Sequence, residues 1–120
     1  MSATQPRVWY FVREFDKGRD FYKRLLGFEE TFVDFDDRWS KLEHGGMRIA
    51  LSEGEPTHDG GVATVDVDDV KRVADRLRSE GVEVGTVIEL SGQMRLVDVF
   101  DPDGNRVQLA QPLDDPPPAG

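Results

Sequence analysis

The chain has 120 residues, 38% of them hydrophobic, and 24 acidic against 15 basic side chains give it a formal charge of −9. That suffices for one domain with a modest core, in which folding buries roughly 65% of the unfolded surface. The acidic balance, with no Lys/Arg stripe, argues against nucleic acid; no stretch approaches the ~20 apolar residues of a membrane span; and without cysteine there are no disulfides or thiolates.

The opening MSATQPR has no apolar signal core, so a cytoplasmic location is the expectation. Residues 7–12, RVWYFV, read as a strand. Asp16 is placed to cap a following helix whose Phe21, Tyr22, Leu25 and Leu26 gather on one side. Gly27 suits the left-handed position that ends such a helix. Residues 28–35, 39–43 and 47–52 then predict a three-strand meander, with turns at Asp36–Asp37 and His44–Gly46. The polar, breaker-rich EGEPTHDG reads as a linker.

The second half repeats this order. Residues 61–67 predict a strand. Asp68 or Asp69 caps a helix with Val70, Val73, Ala74 and Leu77 as its apolar stripe, ended by Gly81. Strands follow over 82–90, 95–100 and 107–110, and Asp101-Pro-Asp-Gly104 makes a tight turn between the last two. The proline-rich end over 113–120 is expected to be a flexible tail. The expectation is one domain over 1–120, of class α+β. Its βαβββ modules, 7–52 and 60–112, are joined by linker 53–59 and form a U-shaped, cup-like mixed sheet.

Alternation along the strands sorts side chains into two faces. Val8, Tyr10, Val12, Met47, Ile49 and Leu51 suit the helix side, as do Ala63, Val65, Val107 and Leu109. The opposite face receives Arg7, Trp9, Phe11, Arg48, Thr64, Asp66, Arg106 and Gln108. With Trp39, these supply rings for stacking a planar ligand and groups for hydrogen bonding it. An Arg7–Asp66 or Arg48–Asp66 pair is expected to neutralise the buried charge. Asp66, or Glu43 across the cup, is a candidate base, and Arg7 or Arg48 a candidate for stabilising an enolate.

The segments VREFDKGRDFYKRLLGFEE, GGVATVDVDDVKRVADRLRSEGVEV and VFDPDGNRVQLAQ resemble the vicinal oxygen chelate superfamily, the glyoxalase, bleomycin-resistance and extradiol dioxygenase group. The resemblance spans about residues 7–112 and implies paired βαβββ units around a cavity, commonly in a dimer. In metal-dependent relatives, histidines of the first strands and glutamates of the last strands hold the ion. Those places resemble Arg7, Ala50, Val62 and Gln108 here. Three are not ligands and glutamine is a poor one, so no metal and no cofactor are expected.

The leading expectation is therefore a metal-independent binder of a small planar or cationic molecule. It would be a homodimer, similar to bleomycin-resistance proteins that sequester an antibiotic. The alternative is a metal-free isomerase, cyclase or lyase acting on an aromatic or polyketide-like substrate. A third reading is a structural or regulatory module whose cup is filled by its own side chains.

Overall fold

In the computed structural model, which describes residues 8–113, the repeat seen in the sequence is a repeat of structure. The first module consists of β1 (Val8–Val12), α1 (Phe15–Asp20), a π-helical turn (Phe21–Leu25), β2 (Glu29–Asp34), β3 (Trp39–His44) and β4 (Met47–Glu53). The second consists of β5 (Ala63–Asp66), α2 (Val70–Ser79), β6 (Glu83–Val84), β7 (Ile88–Leu90), β8 (Met94–Phe100) and β9 (Arg106–Pro112). The strand order is β1-β4-β3-β2 in the first sheet and β5-β9-β8-β6 in the second, where β7 also pairs with β8. In both modules the first strand runs parallel to the last, and the remaining pairs are antiparallel. The result is an open mixed sheet architecture built from two βαβββ modules. No helix among the described residues is long and apolar enough to cross a membrane.

One core unites the halves. Val8, Tyr10, Val12, Ile49 and Leu51 meet Ala63, Val65, Val107 and Leu109 in a single buried cluster with side chains of the π-helical turn and of α2. The alternation of the strands thus selects the faces as expected.

Three local features differ from expectation. Asp16 does not cap α1. The cap position is Glu14, two residues earlier, and Glu53 Oε2 accepts the Phe15 amide at 3.1 Å from the end of β4. A tertiary carboxylate here satisfies one of the free amides of the first turn. Next, α1 does not end as an ordinary helix. The Leu26 amide donates to the Phe21 carbonyl at 3.2 Å, five residues back, and the wider turn lets Phe21, Tyr22, Leu25 and Leu26 all be buried. Gly27, at φ 78°, then ends it as predicted. Finally, the expected strand 82–90 is broken over 85–87. Arg78 Nη2 donates to the Gly85 carbonyl at 2.8 Å, which takes that group out of the ladder. In α2, Asp69 is the cap, accepting from the Arg72 amide at 3.1 Å.

The modules are tied together by buried polar groups. The Tyr10 hydroxyl accepts from the Ala63 amide at 2.9 Å and donates to the Arg106 carbonyl at 2.5 Å. Asp101, 4% exposed, accepts from the Tyr22 hydroxyl at 2.9 Å and from Asn105 Nδ2 at 2.8 Å. Asn105 Nδ2 also donates to the Phe11 carbonyl at 2.8 Å. The Asp-Pro-Asp-Gly turn is therefore the tight turn the sequence predicts and also a fastening between the halves. Of the tail, only Leu113 is among the described residues; its amide donates to the Gln93 carbonyl at 3.0 Å.

Candidate functional site

The face of the first sheet turned away from the core carries a continuous aromatic row. Register pairs share a face, so Trp9, opposite Ala50, lies in line with Lys41 and Phe32, and Phe11 lies in line with Ser52 and Trp39. Trp9 and Trp39 stack with centroids 5.7 Å apart and planes 19° apart. Phe32 and Trp39 follow at 5.0 Å. Ala50, a small side chain between them, leaves the rings room to meet. Trp9 is 41% and Phe32 43% exposed, so the platform offers ring surface to solvent.

Beside this row lies a hollow of about 380 Å³, lined by Thr31, Phe32, Lys41, Glu43 and Arg48 with Leu42 and Ile49 beneath. Arg48 Nη2 stands 4.0 Å from Glu43 Oε2, its partner directly across the strand pair. The expected Arg48–Asp66 pair is not made: register sets a carboxylate beside Arg48 on its own sheet, whereas Asp66 belongs to the other sheet. Arg7, and with it any Arg7–Asp66 pair, lies outside the described residues.

On the second sheet, Thr64 Oγ1 donates to Gln108 Oε1 at 3.2 Å, the two residues being opposite in register. Asp66 is exposed, opposite Ala110. Arg106 Nη1 lies 3.4 Å from Asp98 Oδ2. The structure thus brings Trp9 together with Trp39, Arg48 with Glu43, and Thr64 with Gln108. The first two groups and the third occupy different sheets.

Three side chains of this surface, Thr31, Phe32 and Lys41, are absent from the sequence-predicted set. The signal was available: alternation from Trp39 puts Lys41 and Glu43 on the same face. Phe32 was concealed by an irregularity between Glu30 and Phe32, which shifts the alternation of β2 by one residue.

The places that resemble metal-ligand positions can be tested on their donor chemistry. Ala50 and Val62 end in carbon, and the amide oxygen of Gln108 already accepts from Thr64. Among the described residues no three His, Cys, Asp or Glu side chains cluster as an ion site. His44 packs its ring against Phe28, on the helix side, at 5.4 Å. His58 Nε2 lies 3.1 Å from the Asp103 carbonyl oxygen. The residues present do not fit a divalent ion of the ordinary His/Glu kind.

Comparison with solved structures places this architecture. An integron cassette protein from the mobile metagenome of a Halifax Harbour sewage outfall matches with TM-score 0.75 and 23% identity, covering 87% of this chain and 94% of that one. The genomically encoded fosfomycin resistance protein FosX of Listeria monocytogenes matches at 0.72 and 17%, covering 88% and 89%. A glyoxalase family protein of Bacillus anthracis matches at 0.72 and 18%, covering 89% and 93%. At these identities the likeness is one of fold. No curated protein matches the chain significantly. The sequence profile of one family covers residues 4–109, nearly the whole described span, and brings with it a role in binding small molecules. The chain belongs to the Glyoxalase/Bleomycin resistance protein/Dioxygenase superfamily.

Proposed function

We propose that this protein binds a small planar molecule without a metal ion, in the manner of a sequestering resistance factor of the bleomycin-resistance type. The observation that carries the reading is the Trp9–Trp39–Phe32 row, three partly exposed rings on one sheet face. Burial of a ligand ring there contributes roughly 25 cal/mol per Å², and stacking adds about 0.5–1.5 kcal/mol for each ring pair. The carbon side chains at Ala50 and Val62 support recognition without an ion.

A symmetric dimer belongs to the proposal. Ile88 and Leu90 of β7 are 49% and 45% exposed, and they lie opposite Leu96 and Met94 in register. Such an apolar strip at a sheet margin is suited to burial by a second copy.

The test is a tryptophan-fluorescence titration against planar and cationic compounds before and after dialysis against EDTA. Saturable quenching, unchanged by EDTA, is the expected result. Quenching that disappears with EDTA and returns with a divalent ion would overturn metal independence. The enzymatic alternative, a metal-free isomerase, cyclase or lyase, rests on Glu43 beside Arg48 in the hollow. The exposure of Asp66 counts against its other candidate base. Time-dependent conversion of a bound compound, abolished in Glu43→Gln, would favour that alternative.

A further inference from the structure

Lys41 stands in the middle of the aromatic face, and its charge is not answered there. In register it lies between Ala50 of β4 and Phe32 of β2, neither of which carries charge. Its Nζ sits 5.5 Å from the Phe32 ring centroid. Among the described residues no carboxylate oxygen lies within ion-pair distance of that nitrogen. The neighbouring carboxylate, Glu43, faces Arg48 at 4.0 Å. Among the residues lining the hollow there are therefore two cations, Lys41 and Arg48, against one carboxylate; the other acids that register puts on this face, Glu29 opposite Glu43 and Asp34 opposite Trp39, are outside that lining. Most basic side chains elsewhere are engaged: Arg19 and Lys23 on Glu30, Arg24 on Asp20, Arg78 on Asp75, Arg95 on Glu89 and Arg106 on Asp98.

We infer that the ligand is an aromatic or conjugated monoanion, its ring laid on Phe32 and Trp39 and its carboxylate, phenolate or sulfonate met by Lys41. This deepens the binding proposed above and rests on the same face being the site. The acidic remainder of the chain does not reverse the preference. Fields from exposed charges fade over about 10 Å at ordinary salt, whereas an ammonium group at contact in a partly enclosed hollow acts with less screening. The flexible lysine stem allows Nζ to leave its own cation–π contact for a ligand anion without moving the strand. The ring and charge requirements together distinguish this ligand from a purely apolar guest, which would leave Lys41 desolvated and unpaired.

Both tryptophans of the chain lie in the row, so intrinsic fluorescence reads this site directly. The experiment titrates the full chain with three probes of one shape: 2-naphthoate, 2-naphthamide and 2-naphthylmethylammonium. Each titration is repeated with Lys41→Met, and a thermal melt of that variant checks its folding. The expected result is a Kd for 2-naphthoate at least tenfold below those of the other two, with the gap closing to less than threefold in Lys41→Met. Equal binding of all three, a preference for the ammonium probe, or an anion preference that survives in Lys41→Met would each overturn the assignment of the charge while leaving the ring site standing. Binding of none of the three would overturn the site itself.

Discussion

The Tyr22 hydroxyl and the Asp101 carboxylate meet at 2.9 Å across 79 positions of sequence. Tyr22 comes from the helix of the first module and Asp101 from the last turn of the second. Both are buried, and the carboxylate also accepts amides of its own turn, from Asp103 at 2.8 Å and Asn105 at 2.9 Å. Tyr22→Phe keeps the ring in its packing against Tyr10, Phe21 and Phe28 and removes only the donor. The expected loss is about 1–3 kcal/mol, the cost of leaving a buried charged acceptor short of one partner. Urea unfolding should show it as a lower midpoint at unchanged slope, with both halves still melting together.

The linker passes close to β1 at Gly60. A Cβ on that residue would fall 2.0 Å from the Trp9 carbonyl oxygen, and backbone cannot yield as a flexible side-chain tip does. Gly60→Ala should therefore shift the linker away from β1, at a cost of ~1–3 kcal/mol as for other overpacked contacts. Gly45→Ala, where nothing lies within 4 Å but φ is 54°, should cost less, about 1 kcal/mol from backbone strain alone. Thermal denaturation of the two variants side by side checks the order.

Alkaline stability should be set by the two buried tyrosines. Burial pushes the Tyr10 hydroxyl up to about 12, and burial beside Asp101 raises Tyr22 well above its ordinary value. In the unfolded chain both ionise near 10. The native state thus holds these protons after the unfolded state has released them, so stability is complete below pH 10 and falls as pH rises from there toward 12. A series of urea melts from pH 8 to 11.5 should show a flat region and then a decline. Tyr10→Phe should shorten the decline.

The acid side carries the opposite sign. The Arg19 guanidinium, donating to Glu30 at 2.7 and 2.8 Å, holds that carboxyl below its usual range. Its contribution is present above about pH 4.5 and is lost as pH falls through the lowered value. Glu30→Gln should flatten the loss of stability below pH 4.5, measured by the same melts.

Removing Trp39 breaks the aromatic row in the middle, since among the described rings it is the one that packs against both Trp9 and Phe32. Trp39→Ala should weaken binding of a planar ligand by about 1 kcal/mol or more, a fivefold or larger rise in Kd. Calorimetry is the fitting measurement because the variant has lost one of its two tryptophans. Phe35→Ala, an exposed ring that stacks on Arg19 instead, should leave the affinity unchanged.

What was legible in the sequence follows from periodicity, and what was not follows from distance along the chain. Alternation alone places Trp9 outward and Tyr10 inward, and Gly27 and Gly81 mark both helix ends because only a left-handed residue fits there. The open face of β1, β3 and β4 could be drawn from the same rule. Glu53 as the acceptor at the start of α1 could not, because its partner lies 38 positions away. Nor could the Arg48–Glu43 pairing, which needs the register of β3 against β4. Phe32 was hidden by one irregular residue in β2, and the bridging role of Asp101 by its partner Tyr22 lying in the other half.

The buried carboxylate belongs to the turn between β8 and β9, while the corresponding turn of the first module is His44–Gly45–Gly46 and offers no acid. The two repeats are therefore alike in outline but not exchangeable. A chimera of two first halves would leave the Tyr22 hydroxyl without an acceptor, and one of two second halves would enclose an anion with no phenol to meet it. Each repeat has become the other's required counterpart, so a chain severed within the linker should yield fragments that fold only on recombining.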